Sequence, residues 1–156
     1  MPIDLERISP KGLVGGEVLA VAGSDNVEAS ARPLIFVVEP NPFMAEMERS
    51  ILRSYAVEFL SPEAVVRAAV SRRPDLIIAE IVLRGRDGLA LCRELKARPE
   101  TAAIPFLVFS VLDAAAEAAE AGADAFLLKP SERNALAHEV RRLIGPPRSQ
   151  GREATP

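Results

Sequence analysis

The sequence has no tryptophan, one tyrosine, one histidine and one cysteine in 156 residues, and each scarcity removes a class of function. A single thiol, Cys92, cannot form an internal disulfide, so nothing calls for an oxidising compartment and the cytoplasm is the expected location. A lone His138 supports neither a catalytic triad nor a histidine metal cluster. Basic residues are not in excess: 19 Lys and Arg stand against 22 Asp and Glu, for a formal net charge of -3, which leaves no electrostatic footprint for DNA or RNA. No apolar run approaches the ~20 residues of a membrane span. Asp4, Glu6 and Glu17 interrupt the N-terminus where a signal peptide would be basic and then continuously apolar. No glycine-rich phosphate loop is present. The expectation is a protein that is not an enzyme and whose partners are neither nucleic acid nor membrane.

What is there divides by composition into three parts. Residues 1–32 hold Gly12, Gly15, Gly16 and Gly23 among scattered charges, and only GEVLAVAG has the composition of a strand. They read as an N-terminal extension or linker. Residues 146–156, PPRSQGREATP, have almost no apolar content and read as a disordered tail. The folded body is residues 33–145.

That body alternates two kinds of segment. LIFVV (34–38), LIIA (76–79), FLVF (106–109) and AFLL (125–128) are short continuous apolar runs, as in parallel strands covered on both faces, and VEFL (57–60) is a weaker fifth. Between them come helical signals. Asn41-Pro42 and Ser61-Pro62 pair a cap with a first-turn proline. Met44, Met47, Ile51 and Tyr55 then form one stripe, and Ala64, Val65, Ala68 and Ala69 a second. Leu91, Cys92 and Leu95 make a third, with Cys92 read as a small buried apolar residue. Asp113 to Ala121 reads as a short fourth helix, and Leu136, Val140 and Leu143 mark a fifth after Ser131. Five βα units in strict alternation predict an α/β three-layer sandwich of flavodoxin-like (βα)5 type, with a parallel sheet in the order 2-1-3-4-5.

In such a sheet ligands bind beyond the carboxyl ends of the strands. The residues that end the strands are Glu39, Glu80, Ser110 and Lys129. Two carboxylates, a hydroxyl and an ammonium on one edge are either an ion-pair cluster that holds the edge together or the remnant of a phosphoryl site.

At this point the sequence resembles a family. PDLIIAEIVLRGRDG is similar to the signature segment of response-regulator receiver domains, with Glu80 at the phosphoacceptor position and Asp87-Gly88 following at the family's spacing. VVEPNP resembles the acidic turn after the first strand, FSV the hydroxyl-bearing end of the fourth, and GADAFLLKP the approach to the lysine-proline of the fifth. The resemblance covers residues 33–145. It implies that the acceptor and the first-turn acid pair hold Mg²⁺. It also implies that a histidine kinase or small phosphodonor supplies a phosphoryl group, whose oxygens Ser110 and Lys129 contact.

Two departures make this a degenerate member. The acceptor is a glutamate, whose carboxylate reaches about 1.5 Å farther, and such a misplacement can cost on the order of 100-fold in rate. Pro40 follows Glu39 where the family has a second acid, which weakens any Mg²⁺ site at Glu39 and Glu80. No cofactor is therefore expected beyond a weakened Mg²⁺. Ser110 and Lys129 are retained, so Glu80 either stands in permanently for a phosphoaspartate or forms a plain structural ion pair with Lys129. Phe126 lies at the family's switch aromatic and also reads as ordinary core. Arg84 and Arg86 are either solvated or contact an acidic partner.

The stretch from Ser110 to Gly122 is about three residues shorter than the family's, nearly one turn of the fourth helix. That puts the usual dimer face in doubt while leaving a homodimer open. The expected function is a two-component signalling module that binds a histidine kinase, an output protein or a scaffold without phosphorylation. The alternatives are a working Mg²⁺-dependent phosphoacceptor and a scaffold subunit that docks through residues 1–32.

Overall fold

The computed structural model describes residues 32–147. All but Arg32 of the N-terminal extension, the GEVLAVAG segment included, and the tail from residue 148 lie outside the described residues. The order of elements is β1 (Leu34–Val38), α1 (Pro42–Ile51), β2 (Ala56–Phe59), α2 (Pro62–Arg72), β3 (Leu76–Ala79), α3 (Gly88–Ala97), β4 (Phe106–Ser110), α4 (Ala115–Glu120), β5 (Ala125–Leu128) and α5 (Arg133–Ile144). The strands form one parallel sheet in the order β2-β1-β3-β4-β5. This is the expected flavodoxin-like arrangement.

Because side chains alternate along a strand, each apolar run feeds two cores. Phe36, Val38, Ile77, Ala79, Phe106 and Val108 face α2, α3 and α4, where Val65, Ala69, Leu91, Cys92 and Leu95 meet them. Ile35, Val37, Ile78, Leu107 and Phe109 face the opposite layer with Leu52, Tyr55, Leu136 and Val140. Burial of each large apolar side chain contributes roughly 1.5–3 kcal/mol. These two layers hold the strand ends, and hence the rim, in place.

Local chemistry sets where the helices start. Asn41 Oδ1 accepts from Phe43 N and Met44 N, and Ser61 Oγ from Ala64 N, each with proline at the next position. Asp87 caps α3 through Leu89 N at 2.9 Å. Gly88 donates its N–H to Ile81 O at 2.9 Å. A β-carbon at Gly88 would overlap the Glu80 carbonyl oxygen and stand 2.8 Å from Ile81 Cα. The Asp-Gly pair thus presses the start of α3 against the end of β3, directly behind Glu80.

The structure corrects several expectations. β2 begins and ends one residue earlier than read, and β4 extends to Ser110. α4 spans only Ala115–Glu120, because Ala114 offers no side-chain cap. Tyr55 lies beyond α1; it is buried through the following turn and donates its hydroxyl to Gly145 O at 3.0 Å. On α1 itself Met44, Met47 and Ile51 are half-buried, and the one fully buried residue is Glu48. Among the described residues no helix is long and apolar enough to cross a membrane.

Candidate functional site

The ends of β1, β3, β4 and β5 bring Glu39, Glu80, Ser110 and Lys129 together. Glu80 directly follows the last residue of β3, where its N–H still donates to Val38 O at 3.1 Å, so its side chain starts fixed and reaches inward. Its Oε2 accepts from Ile81 N at 2.8 Å, Val82 N at 3.1 Å and the Ser110 hydroxyl. Its Oε1 accepts from Lys129 Nζ at 3.0 Å and Val111 N at 3.3 Å. Ser110 in turn accepts from Leu112 N at 3.1 Å, so the chain after β4 is drawn towards Glu80.

Lys129 is buried, with its side chain 3% exposed. Its ammonium also donates to Glu39 Oε1 and lies 5.0 Å from the centre of the Phe109 ring, where a cation gains from the ring face. Glu39 Oε2 accepts from Asn41 N at 3.0 Å, which ties the turn after β1 to the cluster.

The electrostatics follow from these contacts. Burial works against the Glu80 charge. The hydrogen bonds from Ser110, Val82 N–H and Lys129 outweigh it and hold the carboxyl below the usual range. For Lys129, burial disfavours the cation, but Glu39 and Glu80 outweigh it and raise its pKa.

Sequence reasoning missed Glu48. This residue is 1% exposed, its Oε2 lies 3.9 Å from Lys129 Nζ, and its Oε1 has no hydrogen-bond partner in the protein. Burial, then the charge of Glu39, pushes its pKa up to about 8, against the lowering effect of Lys129. At neutral pH Glu48 is mostly the neutral acid. A signal was present in the sequence: Glu48 falls four residues after Met44 and three before Ile51, in the middle of the α1 stripe.

The remaining candidates lie around this centre. Pro40 is exposed and lines, with Glu39 and Arg84, a cleft of about 510 Å³ between the ends of β1, β2 and β3. Arg84 is exposed, whereas Arg86 bonds Glu94 at 2.7 Å. Phe126 is half-buried against the core on the α2–α4 side. Cys92 is fully buried, and desolvation pushes its thiol up to about 11, so it holds no thiolate at neutral pH. His138 is exposed on α5.

Mg²⁺ takes octahedral oxygen ligands and does not tolerate poor geometry. One oxygen of Glu39 and one of Glu80 are bonded to the same ammonium, the other Glu80 oxygen carries three donors, and Pro40 offers no carboxylate. Among the described residues no three acids, histidines or cysteines are grouped to hold a metal ion. This donor set does not fit Mg²⁺.

Comparison with known proteins bears on this edge. Residues 35–141 match the family model described as "Response regulator receiver domain". The response regulator PleD of Caulobacter vibrioides is 36% identical over 85 residues, 53% of this chain and 18% of that protein. The phosphate regulon transcriptional regulatory protein PhoB of Rhizobium meliloti is 30% identical over 119 residues, 72% of this chain and 52% of that protein. Among solved structures, the signal receiver domain of a signal transduction histidine kinase from Syntrophus aciditrophicus superposes with a TM-score of 0.67 at 35% identity, covering 76% of this chain and 96% of that one. The chain thus spans about half or less of the length of these two curated relatives and nearly all of the solved receiver domain.

Proposed function

The chain belongs to the response regulator receiver domain family, and from that premise we propose that it is a two-component signalling module that works without being phosphorylated. In this reading Glu80 stands in for a phosphorylated aspartate, and the domain acts by binding another signalling protein: a histidine kinase, an output protein or a scaffold. It catalyses nothing itself, needs no cofactor and works in the cytoplasm.

One observation carries the reading. The Glu80 carboxylate accepts from Ser110, Lys129 and three backbone N–H groups at once. A hydroxyl, an ammonium and backbone amides are the donors that a phosphoryl group on a shorter side chain would need. Here the longer side chain brings its own oxygens to them. A transferable phosphoryl group would meet a carboxylate already saturated with donors, and Pro40 in place of the second acid of the turn after β1.

The test is intact mass after incubation with Mg²⁺ and acetyl phosphate, for the natural protein and for Pro40→Asp/Glu80→Asp. The expected result is one added phosphoryl group on the double variant and none on the natural protein. A phosphoryl adduct on Glu80 of the natural chain would overturn the reading in favour of a working phosphoacceptor.

A further inference from the structure

Phe43 stands 80% exposed on the first turn of α1 and belongs to neither core. Its backbone is nonetheless fixed, because its N–H donates to the cap oxygen Asn41 Oδ1 at 2.9 Å and Pro42 precedes it. The fold thus holds out a large apolar side chain that adds nothing to its own packing.

Beside this projection is a hollow of about 260 Å³ walled by Met44, Met47, Phe109, Val111 and Pro130. Phe43 and Met47 are four residues apart on α1, so projection and hollow share one face. Methionine walls adapt to the shape of an aromatic ring and gain from contact with it. Val111, 59% exposed, is presented by the loop after β4, whose amides Glu80 and Ser110 hold. A contiguous exposed apolar surface of this kind marks an interaction site.

We infer that this face pairs with the same face of a second copy of the chain, Phe43 of each copy entering the hollow of the other. A projection and a hollow side by side on one surface are what a two-fold contact requires, since each insertion implies its reciprocal. The charges agree. Glu46 and Arg49 pair at 3.4 Å on α1, and Arg133 bonds Ser50 at 2.9 Å. The face therefore carries both signs, and two copies meet without a block of like charge. The α4 side offers less to a partner: α4 exposes only alanine and glutamate side chains, and Leu128 is the exposed large apolar residue of β5.

Sedimentation velocity of the full chain tests this with the natural protein, Phe43→Ala, Val111→Arg and an equimolar mixture of the two variants, one of them fluorescently labelled. Both positions are exposed, so both substitutions spare the core. The natural chain should show a reversible dimer below about 1 mM. Each variant alone should dissociate more readily by roughly 30-fold or more, as on loss of a central aromatic anchor. The mixture should form a mixed dimer tighter than either variant's own. In it the intact Phe43 of one chain fills the intact hollow of the other, and both defects fall in the second contact, which is lost only once.

A natural chain that stays monomeric to about 1 mM would overturn the inference and leave the face to a different protein. A dimer indifferent to both substitutions would overturn it by placing the contact elsewhere. A mixed dimer no tighter than its parents would rule out reciprocal insertion. No arm depends on phosphorylation, so this result and the mass result stand or fall separately.

Discussion

Glu48 Oε2 lies 3.9 Å from Lys129 Nζ with both side chains buried, yet the acid keeps its proton. The pair is near enough to interact and too far apart to hydrogen-bond. Burial and the neighbouring Glu39 therefore prevail over the attraction of the ammonium.

The first prediction follows from that proton. Glu48 titrates near 4.5 in the unfolded chain and at about 8 in the fold, so between those values the folded state holds a proton that the unfolded state has released. The contribution of Glu48 to stability therefore falls as pH rises from about 4.5 to 8, by at most about 1.4 kcal/mol per pH unit. Chemical denaturation across this range should show the decline in the natural protein and its loss in Glu48→Gln, which is neutral throughout. An equal slope in both would place the proton elsewhere.

Glu80 sets the acid side. Its folded pKa is lowered, so its contribution is present above the unfolded value and is lost as pH falls through the folded one. Ser110→Ala removes one of the donors responsible, raising the folded pKa and moving the acid transition to higher pH. Its cost near neutral pH is roughly 1–2 kcal/mol. Acid titration of ellipticity in the two proteins checks this, and coincident transitions would contradict it.

Replacing Glu80 itself should cost more. Glu80→Gln keeps the length but removes the charge opposite Lys129 and turns an amide donor towards other donors, at roughly 3 kcal/mol. Hydrogen exchange at Val111 and Leu112, the amides that reach Glu80 and Ser110, should speed up well beyond exchange in the core strands. Unchanged protection at those two amides would mean that the loop is held by something else.

Gly88→Ala tests the close approach behind the site. The added methyl group would overlap the Glu80 carbonyl, so the start of α3 must move, at a cost of about 2 kcal/mol or more. Gly145→Ala is the control: φ there is 85° but nothing lies within 4 Å, leaving only the left-handed backbone penalty of about 1 kcal/mol. Equal losses in urea denaturation would remove the steric argument.

The sheet was legible because four of its strands are continuous apolar runs that end abruptly, three of them buried and the edge strand β5 only half-buried, against the expectation that all four are covered, and reading off the ending residue gave Glu39, Glu80, Ser110 and Lys129 directly. The contact of Glu80 with Lys129 was legible too, from one added methylene. Other parts were not. Glu48 was overlooked because a lone acid between Met47 and Arg49 looks solvated, although its phase on α1 was inward. The ends of α4 were obscured by alanines, which extend a helix without marking where it stops. That Lys129 also binds Glu39 depends on a long side chain reaching from the end of β5, at the sheet edge, past the ends of β4 and β3 to that of β1.

A carboxylate that belongs to the polypeptide contains no bond that a phosphatase can break. The grip of Glu80 on the loop after β4 is therefore undone by protonation or by unfolding, not by hydrolysis of a bond.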